Sequence, residues 1–361
     1  MHQSVSTARR ALLLGSCAAM LTGGCAASSP RRPSIWQGNG APAYEPRPVA
    51  PPRQAPYLLG DGSIGIVGND GMEALIGDLN QLFMDTHPGI RFATRLEGSS
   101  TAMPALAAGA TLFAPMTRHP WPGDRDAFVQ LHGRQPIAVR IAYNGHGPRP
   151  PARTPPAVYV HQTNPLAGMS LSQLAQVFTV GSPPGDILTW GQLGLRADRA
   201  ERRIHVYGLR DDGGFASGAR DAYFAGRPFA AHYEPLASRE AVLKAVAADP
   251  FGICMLGWID AAKVTTGVRV LALAEGTGQI YHGPALESVM RGLYPLSSPV
   301  QFLVDKPPGK PIDPVAHEYL RMALSREGQA LVARQIDSEE GYVPLSTEDL
   351  AGELRHLASL S

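Results

Sequence analysis

A short run of small residues carries the clearest chemical signal in this sequence. The run Ser217-Gly218-Ala219-Arg220 follows an apolar segment, residues 204–208, with the composition of a β-strand, and it opens an amphipathic segment that reaches Phe224. A strand that turns into a helix through small residues leaves unpaired backbone N–H groups at the positive end of the helix, where an anion can bind. The pattern therefore predicts an anion-binding site.

Three similar strand ends occur earlier in the chain. Residues 64–67, 90–96 and 111–116 have the pattern of strands, and apolar residues with helical spacing follow the first two. In an open α/β sheet, ligands bind at the carboxyl ends of the strands. The polar or small residues at these three ends are Asn69, Asp70 and Gly71; Ser99 and Ser100; and Thr117 and Arg118.

The rest of the globular part repeats the alternation of strands and helices. Strands are predicted at 158–160 and 300–304, and helices at 171–178, 239–248 and 313–324. This alternation is typical of α/β layers. A chain of 361 residues is long enough for two medium-sized lobes.

Several motifs together resemble the periplasmic phosphate-binding proteins of ABC importers, in the order of that family from about residue 62 to residue 345. The motifs that carry the resemblance are Gly98-Ser99-Ser100-Thr101, Ala114-Pro115-Met116-Thr117-Arg118, Asn164-Pro165-Leu166, Leu171-Ser172-Gln173-Leu174, Thr189-Trp190-Gly191-Gln192-Leu193-Gly194, Arg210, Ser217-Gly218-Ala219-Arg220, Tyr294-Pro295-Leu296 and Gly341-Tyr342-Val343-Pro344-Leu345.

The resemblance implies the type II periplasmic binding protein fold, an α/β fold of two lobes joined by a hinge. Each lobe would be an open mixed sheet flanked by helices. Lobe 1 would combine residues 57–143 with residues 275–361, and lobe 2 would comprise residues 144–274.

The same resemblance implies a monomeric binding protein, without enzymatic activity, cofactor or metal. It would capture inorganic phosphate between the lobes and deliver it to an ABC permease of the inner membrane. Arginine suits this ligand because its planar fork of donors matches an oxyanion. The positions that match the ligand loops of the family are Asn69, Asp70, Gly71, Ser99, Ser100, Thr117, Arg118, Arg210, Ser217, Gly218 and Ala219.

The sequence also departs from the family. Ala219 stands where a threonine is usual, Phe215 is inserted beside the ligand loop, and a Pro-rich segment at 145–156 lies where the family passes directly between lobes. Asp70 stands where Ser or Thr is common; we interpret it as an acceptor for the proton of monohydrogen phosphate, which would exclude sulfate. The alternatives are a degenerate family member that binds another oxyanion or a protein partner, and an exported phosphoesterase.

Each candidate residue also has a purely structural interpretation. Ser99, Ser100 and Thr117 are residue types that cap helices and turns, and Asp70 suits an N-cap before Met72. Arg118 and Arg210 suit surface ion pairs.

The N-terminus has the features of a bacterial lipoprotein signal. Arg9-Arg10 precedes a short apolar run, and Leu21-Thr22-Gly23-Gly24-Cys25 resembles a lipoprotein box, which predicts a signal peptide at 1–25 and lipidation of Cys25. Cys17 also follows a box-like sequence, but its apolar run is too short; the arginine pair permits a twin-arginine signal. Residues 26–56 are rich in proline and predict a disordered tether. The protein would then lie on the periplasmic or outer side of a bacterial membrane, held by a lipid anchor.

Composition argues against other partners. The net charge is +1, and the arginines are scattered, which makes nucleic acid an unsuitable partner. The histidines, such as His161, His205, His282 and His317, lack the spacing of metal ligands.

Overall fold

Strands and helices alternate along residues 36–361, the part of the chain that the computed structural model describes. The strands in this part are β1 (Ile64–Gly68), β2 (Phe92–Leu96), β3 (Ala114–Met116), β4 (Ile137–Asn144), β5 (Ala157–His161), β6 (Gly168–Ser170), β7 (His205–Leu209), β8 (Tyr233–Leu236), β9 (Gly252–Leu256), β10 (Val268–Ala274), β11 (Ser298–Val304) and β12 (Val343–Pro344). The α-helices are α1 (Glu73–Thr86), α2 (Ser99–Ala107), α3 (Pro122–His132), α4 (Leu171–Phe178), α5 (Gly214–Tyr223), α6 (Arg239–Ala248), α7 (Leu286–Met290), α8 (Pro314–Ala323), α9 (Arg326–Ala333) and α10 (Thr347–Ala358). The predicted α/β class is confirmed.

The middle of the chain forms one six-stranded mixed sheet, in the order β6-β10-β5-β9-β7-β8. Strand β5 pairs antiparallel with β9 and β10, whereas β7 pairs parallel with β8 and β9. Helices α4, α5 and α6 connect these strands, and α6 packs on β5, β7 and β9. We call this sheet with its helices the central lobe.

The segments before and after the central lobe come together in a second unit, which we call the terminal lobe. Its strands form an antiparallel sheet in the order β12-β4-β11-β3 and a parallel pair of β1 with β2. Backbone hydrogen bonds from Leu112 N to Gly65 O and from Asn69 N to Pro115 O, each 3.0 Å, connect β1 with the β3 segment. This approach requires glycine at Gly68, because a Cβ there would lie 2.4 Å from the Pro115 ring.

The chain passes between the lobes twice, through residues 145–156 and 275–285. In the terminal lobe, Gly68 at the end of β1 is in register with Leu96 at the end of β2, so the turns after both strands leave the sheet side by side. This arrangement places the turns after β1, β2 and β3 at the face of the terminal lobe that meets the central lobe.

Aromatic side chains fill the interior of the terminal lobe. Phe113 and Phe302 stack with their ring centroids 4.6 Å apart, and Tyr319 packs on Phe113 at 4.8 Å. In the central lobe, Trp190 and Cys254 are fully buried. Burial raises the pKa of the Cys254 thiol far above its usual range, which makes this cysteine a small core residue.

Residues 36–56 correct the prediction of a disordered tether that extends to residue 56. This segment has no regular secondary structure and lies along α8 and α9; we call it the strap. Tyr44 N donates to Glu327 Oε2 (2.7 Å), the Tyr44 hydroxyl donates to Glu318 Oε1 (2.9 Å), and Arg47 N donates to the same oxygen (3.0 Å). The buried carboxylate of Glu318 needs donors, and the non-proline residues of this segment have N–H groups that no regular secondary structure uses. The predicted signal peptide, Cys25 and residues 26–35 of the tether lie outside the described residues.

Two helix starts differ from the sequence prediction. Helix α2 begins at Ser99, so that Ser99 and Ser100 belong to the helix and not to the turn before it, and α5 begins at Gly214, ahead of Ser217. Between residues 36 and 361, no helix has the length and apolar character needed to cross a bilayer.

Candidate ligand-binding cleft

A cavity of about 250 Å³ lies between the two lobes. The terminal lobe contributes most of its lining: Asn69, Asp70, Ser99, Ser100, Thr117, Arg118, Trp121, Asn144 and Glu340. The connector and the central lobe contribute Arg153, Phe215, Arg239 and Trp258. Six of the residues predicted to bind the ligand therefore lie together, all of them at the ends of β1, β2 and β3.

A side-chain hydrogen bond connects the turns after β1 and β2. Ser99 Oγ donates to Asn69 Oδ1 (2.5 Å), and Asn69 Nδ2 donates to the Asp70 carbonyl. Ser99 and Asn69 are both buried, whereas Asp70 and Ser100 are exposed to the cleft. Because these bonds fix the Asn69 amide, the Asp70 carboxylate and the Ser100 hydroxyl are the freer groups of the two turns.

Gly71 lies behind the cleft lining. It has a φ of +83°, and a Cβ at this position would lie 2.7 Å from Glu340 Oε1. The Tyr342 hydroxyl donates to the Gly71 carbonyl (3.1 Å). Gly71 therefore permits the close approach of Glu340 instead of presenting a group to the cavity.

The turn after β3 is fixed by side chains from neighbouring strands. Asn144 Nδ2 donates to the Thr117 carbonyl (2.7 Å), and Gln301 Nε2 donates to the Arg118 carbonyl (2.7 Å). Both amides are buried, so the backbone at the cleft is held by the sheet.

Arg118 is held on three sides. Its Nη1 donates to Asp124 Oδ2 (2.7 Å) and to the His119 carbonyl (3.0 Å), and its guanidinium stacks on the Trp121 ring at 3.5 Å from the centroid. Burial lowers the pKa of the guanidinium, and the hydrogen bond that it donates to Asp124 opposes that shift. Such a fixed, stacked cation presents its remaining donors with little loss of side-chain freedom.

Two more arginines reach the cleft from the other side. Arg239, the first residue of α6, donates from Nε to the Gly257 carbonyl (2.9 Å). Burial lowers its pKa, Glu240 opposes the shift, and Arg153 adds to it. Arg153 itself lies in the connector, with Nε 3.9 Å from Glu340 Oε1.

Glu340 brings a carboxylate into the same cavity. Its side chain is 20% exposed, and burial raises its pKa; Arg153 opposes this shift, while Glu339, Asp70 and Glu73 add to it. The cleft therefore holds charges of both signs.

The central-lobe part of the predicted anion loop does not present free backbone N–H groups to the cleft, although Gly218 and Ala219 line a smaller cavity beside it that shares Arg118, Trp121, Phe215 and Trp258 with the cleft. Ser217, Gly218 and Ala219 lie inside α5, where Ser217 Oγ donates to the carbonyls of Gly213 (3.1 Å) and Gly214 (3.3 Å). Because α5 begins before them, their N–H groups are used within the helix instead of pointing outward. Ala219 is buried, and Ser217 lines a separate surface cavity with Asp124 and Arg220.

Arg210 also lies away from the cleft. Its side chain is 71% exposed, and its Nη2 pairs with Asp212 Oδ2 at 3.0 Å. The guanidinium lines a surface cavity near the ends of β7 and β8, together with Phe229 and Tyr233. Arg210 therefore forms the surface ion pair that was its structural interpretation from the sequence.

The lobes touch beside the cleft. Trp121 packs on the glycine face of α5, where a Cβ on Gly214 or Gly218 would lie 2.1 or 2.2 Å from the indole. Nearby, Arg125 of α3 pairs with Asp221 of α5 at 2.9 Å. These contacts close the space between the lobes on one side of the cavity.

Sequence analysis missed several cleft residues: Trp121, Asn144, Arg153, Arg239, Trp258 and Glu340. Two of them had a local signal, because Arg239 opens a predicted helix and Glu340 precedes the Gly341-Tyr342-Val343-Pro344-Leu345 motif. Phe215, noted as an insertion, does line the cleft, with its ring centroid 5.4 Å from that of Trp258 and the two rings at 87° to each other.

Among residues 36–361, no group of three or more His, Cys, Asp or Glu side chains is placed to hold a metal ion.

Comparison with known proteins supports the resemblance. Residues 54–327 match the PBP superfamily domain. The chain is 28% identical, over 287 residues, to the phosphate-binding protein PstS of Pseudomonas aeruginosa; the match covers 79% of this chain and 83% of that protein. Among solved structures, PstS from Borrelia burgdorferi matches with a TM-score of 0.50 at 14% identity, covering 78% of this chain and 98% of that one. An ABC-type phosphate transport receptor from Vibrio cholerae matches with a TM-score of 0.48 at 16% identity, covering 78% and 99%.

Proposed function

This chain belongs to the PBP superfamily, and from that membership we propose that it is a solute-binding protein that captures inorganic phosphate and delivers it to an ABC importer. One observation carries the proposal: the cleft between the lobes gathers three guanidinium groups, from Arg118, Arg153 and Arg239, with the polar residues that follow β1, β2 and β3. The 28% identity to a phosphate-binding protein along most of the chain supports it.

The proposed binding mode follows from the donors in the cleft. Arg118 would engage the oxyanion from the terminal lobe and Arg239 from the central lobe, so that a bound phosphate bridges the two. Hydrogen bonds to charged groups contribute about 1.5–3 kcal/mol each, about twice the contribution of neutral bonds. The positive end of α2, which begins at Ser99, adds a favourable field for an anion.

Transport would use closure of the lobes. The moving bodies would be residues 57–143 with 275–361, and residues 144–274, with the strap carried by the first body. An open form would admit the anion, and closure would bring the lobes to the arrangement in which Arg239 and the terminal-lobe turns line one cavity, while presenting to the permease a surface formed by both lobes. This role is binding and release, and it requires no chemical step.

We assign export and anchoring to the N-terminus. Cleavage before Cys25 and acylation of its thiol would leave residues 26–35 to separate the globule from the membrane. Incorporation of radiolabelled palmitate by cells tests this assignment: Cys25→Ala should abolish labelling, and Cys17→Ala should retain it. Labelling that survives Cys25→Ala would refute the assignment.

Calorimetric titration of the purified protein, stripped of bound anion, tests the ligand. Saturable binding of phosphate without binding of sulfate is the expected result, and loss of that discrimination in Asp70→Asn would identify the carboxylate that accepts the phosphate proton. Absence of phosphate binding would refute the proposed function.

A further inference from the structure

The cleft is larger than inorganic phosphate requires. Its volume is about 250 Å³, whereas a water molecule occupies about 30 Å³ in the liquid, so the cavity has room for roughly eight waters. A phosphate ion has a single phosphorus and four oxygens, and it would leave part of the cavity to solvent. The ligand site therefore has space for an organic group attached to the phosphate.

The charges of the lining fit a ligand of mixed charge. Within the described residues, Arg239 forms no ion pair, and neither does the Asp70 carboxylate; Glu340 meets a cation only at 3.9 Å, from Arg153. Monohydrogen phosphate would be attracted by the arginines, and its one proton would satisfy Asp70, but the dianion would still be repelled by the Glu340 carboxylate. An ammonium group on the same ligand would satisfy that carboxylate.

The position of Glu340 makes it the better acceptor for such a group. Its carboxylate lies against the backbone of Gly71, next to Asp70, and its side chain is mostly buried. The like charges of Asp70, Glu73 and Glu339 surround it, with Arg153 as the opposing charge. A buried carboxylate among like charges gains from a cation brought by the ligand.

Apolar surface completes the lining. Phe215 and Trp258 meet edge to face, at 5.4 Å between ring centroids, and both line the cavity. Trp258 has a φ of +54°, an unusual backbone conformation for a bulky residue, and its indole Nε1 is buried without a hydrogen-bond partner among the described residues. The aromatic faces contact methylene groups and attract cations, and the unpartnered indole N–H is a donor for a phosphoryl oxygen.

We propose that this cleft binds a phosphate monoester whose short aliphatic chain ends in an ammonium group, and that it does so more tightly than it binds inorganic phosphate. The inference rests on the proposed function, because the arginines that would hold inorganic phosphate hold the phosphoryl group of the ester. Glu340 accepts the ammonium group, and Phe215 and Trp258 contact the chain between the two charges.

Calorimetry on the purified protein with three probes tests the inference: 2-aminoethyl phosphate, ethyl phosphate and inorganic phosphate, at one pH and one salt concentration. The aminated ester should bind about tenfold more tightly than ethyl phosphate, the effect of one charged hydrogen bond. Glu340→Gln should bring the two esters to nearly equal affinity. The neighbouring Glu339→Gln, whose side chain is 69% exposed, should preserve the preference.

The outcomes separate this inference from the proposed function. The inference is overturned by equal affinity of the two esters for the wild-type protein, by a preference that persists in Glu340→Gln, or by tighter binding of inorganic phosphate than of 2-aminoethyl phosphate. Binding of inorganic phosphate with no binding of either ester overturns the inference and leaves the proposed function standing. Failure of all three probes to bind overturns both.

Discussion

The indole of Trp121 lies against the backbone of Gly218, so close that a Cβ on Gly218 would stand 2.2 Å from the indole Nε1. Trp121 belongs to the terminal lobe and Gly218 to α5 of the central lobe. The same indole carries the stacked guanidinium of Arg118, 3.5 Å from the ring centroid. One side chain therefore connects the contact between the lobes with a principal cation of the cleft.

Gly218→Ala should weaken phosphate binding by about tenfold or more. Alanine favours the helix by about 1 kcal/mol over glycine, but its methyl group overlaps Trp121, and such overpacking costs about 1–3 kcal/mol. Calorimetry measures the affinity, and small-angle X-ray scattering with saturating phosphate should show a larger radius of gyration. Gly123→Ala is the matched control, because a Cβ there meets nothing within 4 Å. Wild-type affinity in Gly218→Ala would contradict the role of this contact.

Substitution of two central-lobe arginines, one at a time, tests whether phosphate binds in the cleft or at the outer surface. Arg239→Gln should lower phosphate affinity by about 10- to 100-fold, because it removes a charged donor from the cleft. Arg210→Gln should leave the affinity within about twofold, because its guanidinium is exposed and pairs with Asp212. Calorimetric titration measures the phosphate affinity of both variants. A larger loss of affinity in Arg210→Gln than in Arg239→Gln would mean that the ligand lies near the ends of β7 and β8.

The terminal-lobe half of the site was predictable because its signals are local. Asn69, Ser99 and Thr117 each follow a strand within three residues, and parallel pairing of β1 with β2 places their turns side by side. The rule that ligands meet strand ends needs no knowledge of the other lobe. The role of these residues in binding phosphate stays a prediction.

The central-lobe half was not predictable in the same way. The sequence motif at Ser217 marks α5 correctly, but the helix begins three residues earlier, and such a shift converts free N–H groups into helical ones. Gly214 and Gly218, four residues apart, share one face of α5; that spacing signals a close approach, although only the folded structure shows that Trp121 makes it.

Removal of the strap should destabilise the protein. Deletion of residues 36–47 takes away donors from Glu318, whose side chain is 2% exposed, and from Glu327. Arg321 still pairs with Glu318 after the deletion, but the hydrogen bonds from the strap to charged oxygens are lost, each worth about 1.5–3 kcal/mol, so we expect the melting temperature to fall by at least about 5 °C. Differential scanning calorimetry measures it. Tyr44→Phe should give a smaller fall, and Tyr281→Phe, at an exposed tyrosine, none. An unchanged melting temperature after the deletion would mean that the strap does not stabilise the fold, as expected of a disordered tether.

Glu340 should make stability depend on pH in a direction opposite to that of most carboxylates. Burial, together with Glu339, Asp70 and Glu73, raises its pKa in the folded protein against the opposing effect of Arg153. A group with a raised folded pKa contributes stability below its unfolded pKa, about 4.3, and loses that contribution as pH rises through the folded pKa. Glu340→Gln should therefore melt about 1–3 °C above the wild type at pH 7 and at the same temperature near pH 4.

Glu339→Gln serves as the control for this comparison, since Glu339 is exposed and equally distant from Arg153, 3.9 Å from Nε. Its melting curve should follow the wild type more closely across the same pH range. A Glu340→Gln protein that melts below the wild type at pH 7 would mean that the attraction of Arg153 outweighs burial and the three neighbouring carboxylates. In that case the carboxylate is already satisfied within the protein, and its reason to attract a ligand cation is lost.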